Sequence, residues 1–387
     1  MKPLSPKVGR FTESVIRMMS QVCARHGGIN LAQGFPDFEP PEVLKAAAKR
    51  AIDEGYNQYA VTWGSPAFRR AIAAKVSRQW DREIDPDRHV TVTCGATEAM
   101  IAALLALVEP GDEVVIFEPF YENYGPDAVL AGATPRYVPL REPDYGFDPD
   151  ELRAAFSPRT KAVILNTPNN PVGRVFRRED LVRIAALAEE FDAYVVTDEI
   201  YEHIVYRGLP HVSIATLPGM FERTVTISGL SKTFSVTGWR LAYAIAPEPI
   251  TGAIRKVHDF LTVGAAAPLQ EAGAVALALP PAYYAELAAM YDRKRAMLLS
   301  ILTEAGFRCH DPEGAYYIMT DIGHFGFPDD TAFALWLVEE IGVAAVPGSS
   351  FYADPASGRT KLRFTFAKKE ETLARAGERL LALRARI

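Results

Sequence analysis

Short apolar runs alternate, through roughly the first two-thirds of the chain, with longer segments whose apolar positions recur every three to four residues. The runs at His89–Thr93, Glu113–Phe117, Lys161–Asn166, Ala193–Thr197, Thr224–Ser228 and Leu241–Ala246 carry few polar interruptions. Strands buried on both faces have that character. Amphipathic segments at Glu98–Val108, Arg178–Phe191 and Glu248–Leu261 lie between them. The alternation predicts an α/β layered domain with a mainly parallel sheet between helices. Beyond Pro280-Pro281, a pair that cannot continue a helix, the texture changes. A long helix is expected over Ala282–Ala305, leading into Gly314–Thr320. A helix at Asp330–Ile341, a strand at Lys361–Phe366 and a helix at Lys369–Arg386 then complete a smaller α+β unit. The charge clusters Arg177–Asp180 and Lys368–Glu371 are expected to be solvated helix starts.

Composition narrows the function. The 387 residues hold 42 Lys plus Arg against 48 Asp plus Glu, a net charge of -6. A mildly acidic chain lacks the cationic surface that nucleic-acid binding needs. No apolar run is long enough to span a membrane, and the basic start MKPLSPKVGRF has no apolar core of a secretory signal. Cys23, Cys94 and Cys309 are odd in number and widely spaced. They read as reduced thiols of a cytoplasmic protein, with no metal-ligand spacing. Dinucleotide, P-loop, zinc-protease and hydrolase-elbow motifs are all missing.

Four segments carry chemistry. Asn166-Thr167-Pro168-Asn169-Asn170-Pro171-Val172-Gly173 follows a strand and alone would be a turn. Tyr194–Tyr201 ends a strand on Asp198 with a phenol three residues on; carboxyl ends of strands are where open α/β sheets bind ligands, although Asp198 alone could cap a helix. Ser228–Ala242 sets Lys232 among small and apolar residues without an acidic partner. A desolvated lysine is an available neutral nucleophile, and Arg240 further on could fork onto phosphate. Thr93–Met100 puts small residues between strand and helix, either an ordinary turn or an anion cradle of free N–H groups.

Taken in chain order, from Thr93–Met100 to Ser228–Ala242, the segments resemble the class I/II aminotransferases, pyridoxal-phosphate enzymes of fold type I, over essentially the whole chain. The resemblance implies pyridoxal 5'-phosphate as cofactor, linked to Lys232, with Asp198 behind its pyridinium nitrogen and Asn170 and Tyr201 on its 3-oxygen. It implies catalytic roles for Lys232, Asp198 and Tyr201. Gly95, Ala96, Thr97, Ser231 and Arg240 would hold the phosphate. The family's serine three before the lysine is replaced by Gly229, with Ser228 one earlier. Tyr121 would stack on the ring, and Tyr59 would reach the phosphate in the other subunit of a homodimer with shared active sites. Gly34, Asn170 and Arg363 would face the substrate, with Arg363 clamping its α-carboxylate. The expected domains are a large cofactor-binding unit at 44–281 and a small unit at 282–387, which segment 1–43 joins.

The reaction implied is ping-pong transfer of an amino group from an L-amino acid to a 2-oxo acid. The text at Ile29–Phe38 and Asn57–Arg70 looks most like the kynurenine, glutamine and methionine aminotransferase branch. Thr262–Pro268 offers no charge for a side-chain carboxylate, which favours neutral, aromatic or sulfur-containing donors. That branch carries aromatic residues near Ala265 and Ile16, which this chain lacks. Arg10 or Arg17 could serve an acidic substrate, so an aspartate-type activity stays open, as does β-lyase action on cysteine conjugates.

Overall fold

The computed structural model describes residues 2–386. Its larger sheet has eight strands, in spatial order Val90–Thr93, Ala242–Ile245, Thr224–Gly229, Tyr194–Asp198, Thr160–Asn166, Glu113–Glu118, Thr134–Arg141 and Gly146–Phe147. The middle of this sheet is parallel. Ala242–Ile245 runs antiparallel to both its neighbours, and Gly146–Phe147 antiparallel to Thr134–Arg141. All six expected strands are present within a residue or two. Two further strands were illegible in the sequence. Thr134–Arg141 is exposed or half-buried except at Val138 and Leu140 and contains two prolines, which hides it among turn signals.

Helices cover both faces, and each face has its own apolar layer. One is built around Met100, Leu104, Val114, Ile116 and Val196, the other around Val115, Val163, Leu165 and Val195. Consecutive strand residues thus point to opposite cores, which is why these strands read as continuous apolar runs.

A second sheet of four strands, in the order Arg308–Cys309, Tyr317–Asp321, Lys361–Thr365 and Val346–Pro347, is antiparallel throughout. The helices Pro281–Glu304 and Glu370–Leu381 belong to this unit. The helix Asp330–Trp336 continues as one π turn over Leu337–Ile341. Near the N-terminus, Ile29–Asn30 pairs in parallel with Val343–Ala344. Pro280 caps the long helix and Pro281 is its first residue, where a missing N–H costs nothing. No helix among the described residues is long and apolar enough to cross a membrane.

Both charge clusters lie at helix starts as expected, but one member of each is buried. Asp180 is buried, where it accepts the Arg174 guanidinium and the backbone N–H of Arg177. Lys368 is also buried, its amine donating to the Phe35 carbonyl at 2.8 Å with the Phe35 ring 3.9 Å away. Sequence charge density does not reveal which member of a cluster finds an internal partner.

Candidate active site

Strand direction gathers the chemistry at one edge of the large sheet. Asn166 and Asp198 are register partners at the carboxyl ends of adjacent parallel strands, and Asp198 pairs with Ile227 on the next. That strand runs through Gly229 into the short helix Leu230–Thr233, which carries Ser231 and Lys232. Thr93 pairs with Ala242, so the turn after Thr93 and the residues just before Ala242 meet at the same edge. This brings Gly95–Thr97 beside Arg240.

The result is a cleft with about 670 Å³ of empty space, lined by Ala96, Thr97, Tyr121, Asn170, Asp198, Tyr201, Ser231, Lys232 and Arg240 among others. Gly34 joins through its carbonyl, which accepts from the Lys232 amine at 3.4 Å and from the Tyr316 hydroxyl at 2.8 Å. Arg363 joins through Asn170, donating to its Oδ1 at 2.8 Å and to the Ala32 carbonyl at 2.8 Å. Tyr59 does not join. It is 89% exposed and borders a separate surface pocket with Val263–Pro268. Ser228 does not join either; its hydroxyl donates to Glu202 at 2.6 Å. Gly229 packs so closely that an added Cβ would lie 2.7 Å from the Ala242 Cβ, which leaves no room for a serine there.

Electrostatics suit the expected chemistry. Burial and then the Arg240 charge push the Lys232 amine down to about 8, while Asp198 works in the opposite sense. Lys232 makes no ion pair among the described residues; its amine lies 5.8 Å from the centre of the Tyr201 ring and 5.6 Å from that of Tyr316. Burial raises the Asp198 carboxyl above the usual range, opposed by hydrogen bonds from the Tyr124 hydroxyl and the Ile200 N–H. The Tyr201 hydroxyl meets that of Tyr317 at 3.0 Å.

An anion and a planar ring fit these residues. The helix Ala96–Leu107 opens on free N–H groups at the cleft. Arg240 has no carboxylate partner among the described residues and is held at φ +52°. Gly95 has φ +90°, and a side chain there would collide with the Arg240 guanidinium. Arg363 is fully buried, with no counter-ion and no partner for its Nε among the described residues. A buried, unpaired guanidinium is costly unless a ligand completes it.

Several cleft residues escaped the sequence reading. Tyr124 lies one helical turn beyond Tyr121 and donates to Asp198; that i, i+3 spacing was a usable signal. Asn166 bridges the Asp198 carbonyl and the Asn170 N–H, and it opened a segment already singled out. Tyr317 and Asp127 carried no signal.

Behind Asp198, the turn is anchored by buried ions. Glu202 accepts from Lys75 at 2.6 Å, and Lys75 also donates to the Tyr243 hydroxyl. Burial opposes the Glu202 carboxylate, but the adjacent ammonium outweighs it and holds the carboxyl well below its usual range. Lys75→Met should therefore strand Glu202 and cost about 3–5 kcal/mol in urea unfolding at neutral pH. A loss under about 1 kcal/mol, the size of a surface pair, would show that the pair is solvated.

The family model described as aminotransferase class I and II matches residues 26–380. The chain is 40% identical to methionine aminotransferase of Escherichia coli, covering 98% of this chain and 99% of the relative. It is 37% identical to human kynurenine–oxoglutarate transaminase 1, with 93% of each covered. The solved structure of N-succinyldiaminopimelate aminotransferase from Mycobacterium tuberculosis superposes with a TM-score of 0.94 at 41% identity, covering 99% of this chain and 100% of that one.

Proposed function

The chain belongs to the class I and II aminotransferases and is a pyridoxal-phosphate-dependent transaminase; from that premise we propose that the Lys232 cleft is its active site and that it prefers neutral, sulfur-containing or aromatic L-amino acids. The cofactor, when bound, links covalently to an amine and draws electron density from the substrate's Cα, which makes the Cα proton removable. The protein's part divides among the residues already placed. Arg240 and the N–H groups of Ala96 and Thr97 neutralise the phosphate, with Gly95 and Ser231 beside them. Tyr121 would cover one face of the ring. Asp198 would keep the ring nitrogen protonated, and Asn170 and Tyr201 would hydrogen-bond the 3-oxygen. Arg363 and the Gly34 carbonyl orient the substrate. Lys232, an amine of depressed pKa, then takes and returns the proton at Cα. Donor and acceptor would use the same site in turn, giving ping-pong kinetics.

The observation that carries the reading is a lysine of lowered pKa and a buried carboxyl sharing one cleft with Arg240, an arginine without a carboxylate partner among the described residues. The substrate preference rests on charge. Lys232 and Arg240 are the cations lining the cleft, and both have assigned work. Arg10 lines a neighbouring cleft with Glu122, away from Lys232. The named activities of the methionine and kynurenine relatives agree with this preference. A single-turnover screen of amino acids against the loaded enzyme tests it. Met, Gln, Phe or kynurenine should react at least about tenfold faster than Asp, the scale of one unpaired buried charge; the reverse order would mark an aspartate-type enzyme.

We also read the chain as a cytoplasmic homodimer of two-unit subunits, with 1–43 joining the small unit at 282–387 and the large unit at 44–281. Tyr59, Trp63, Phe260, Leu261 and Val263 are exposed large hydrophobics on the rim of the large unit, Phe260 at 94%. An apolar rim beside the cleft suits a symmetric partner that would bury Tyr59 against its own site. Unpaired Cys23, Cys94 and Cys309 suit a reducing compartment.

A further inference from the structure

The cleft holds a second carboxyl that no part of the reaction uses. Asp127 sits in the first turn of the helix Tyr124–Ala131, 6% exposed, and lines the cleft together with Tyr124 and Asp198. It also borders the neighbouring cleft of Arg10, Ser14 and Tyr137, so it stands in the wall between the two. An acidic residue at a helix start is ordinarily solvated and there complements the helix dipole. This one is buried, and its Oδ2 has no hydrogen-bond partner among the described residues.

Among the described residues, no charged group packed against its helix bonds to it. On the helix Ala96–Leu107, Glu98 is occupied by His258 and the Cys94 N–H. On the strand Glu113–Glu118, Glu113 is taken by Arg136 and Arg159, and Glu118 accepts the Ala353 N–H. On Thr134–Arg141, Arg136 and Arg141 are committed to Glu113 and Glu151, and Tyr137 stacks on Phe120. In the turn Pro6–Arg10, Lys7 donates to the Leu130 carbonyl and Arg10 makes no bond to Asp127. Across the cleft stand Tyr121, Lys232 and Arg240. On its own helix, Tyr124 alone can communicate with it. The Tyr124 hydroxyl donates to Asp198 Oδ2 at 2.8 Å and also feels the charge of Asp127.

We propose that Asp127 is a second carboxyl of the cofactor cavity, a positioning residue whose negative charge, acting beside Tyr124 and Asp198, tightens the hold on a protonated pyridine ring. The inference rests on the reading that the Lys232 cleft takes pyridoxal phosphate. Burial alone pushes the Asp127 carboxyl up to about 7. The cavity therefore gains a second negative charge as pH rises through neutrality, and ring affinity rises with it. The motif residues fix where the ring sits, and Asp127 sets how pH changes the strength of that hold.

The test uses apoprotein and 4-deoxypyridoxine 5'-phosphate, which keeps the ring nitrogen and phosphate but has no aldehyde for Lys232. Binding is titrated with wild type and Asp127→Asn at about pH 5.5 and about pH 8.5, on either side of the expected titration. Wild type should bind roughly tenfold tighter at the higher pH, the effect of one charge several ångströms away at intermediate dielectric. The gap should close at the lower pH, where Asp127 is neutral. Asp127→Leu, which fills the space without a dipole, should show the same pH-dependent gap should the amide disturb the fold. Equal affinities at both pH values overturn the proposal, as does a gap of the same size at both, which is what mere packing would give. Failure of wild type itself to bind would overturn the assignment of the cleft, and this inference with it.

Discussion

Lys232→Ala should lower turnover by at least about 10³-fold and leave pyridoxal phosphate removable by dialysis, because on the proposed reading both the covalent anchor and the group that carries the Cα proton are lost. The expectation follows from position. The amine lies 3.4 Å from the Gly34 carbonyl, shares the cleft with Asp198 and Arg240, and has no ion-pair partner among the described residues. A stability measurement on the apoprotein gives an independent check. The folded amine titrates near 8, below the unfolded value of about 10.4. Between those values the unfolded chain binds more protons than the folded one, so stability rises with pH across that window. Below it, the full cost of holding a buried ammonium is present. Lys232→Met removes that cost. The variant apoprotein should melt higher than wild type at neutral pH, by a margin that fades as pH approaches about 10. A lysine pointing into bulk water would show neither the gain nor its pH dependence, and a variant that kept its cofactor through dialysis would remove Lys232 from its role.

The sequence made the parallel strands and the segments at their carboxyl ends legible for one reason: burial on both faces. Strands such as Lys161–Asn166 and Thr224–Ser228 have no solvent side, so they stand out as uninterrupted apolar runs, and their ends are where polar residues reappear. Asn166, Asp198 and Lys232 all lie at such boundaries. Thr134–Arg141 keeps several exposed positions and holds two prolines, so it blends into turn signals. Tertiary pairing hid more. Lys368 and Asp180 looked like surface charge, and only the folded chain brings the Phe35 carbonyl and the Arg174 guanidinium to them. Tyr317 shows the same limit from the small unit. It opens its strand directly after Tyr316, and nothing local tells which of the two hydroxyls meets that of Tyr201. Gly229 was read as a departure from the family's serine, and the nearby Ala242 Cβ supplies the reason. A replacement at one position is intelligible when the facing strand is known, and opaque before.

Arg363→Lys should cut kcat/KM for amino acids by about 30-fold to several thousand-fold, the range for disabling one partner of a buried, hydrogen-bonded charge pair, at about 1.4 kcal/mol per tenfold. The guanidinium is fixed before any substrate arrives. One Nη donates to Asn170 and the other to the Ala32 carbonyl, while its Cζ lies 4.1 Å from the centre of the Tyr317 ring and 4.8 Å from that of Phe351. What it lacks is an anion. An α-carboxylate bound there would supply the missing charge, in a geometry that a lysine ammonium, with no fork, cannot reproduce. Its strand is interior to the small sheet, flanked by Tyr317–Asp321 and Val346–Pro347, so a solvent-facing role for the side chain is not available. The control is an amine lacking the carboxylate but otherwise matching a good donor. It should react slowly with wild type and at a similar rate with Arg363→Lys, because the lost interaction was never made. If the variant slowed the amine as much as the amino acid, Arg363 would be holding the cleft together through Asn170, and the carboxylate would have to bind elsewhere.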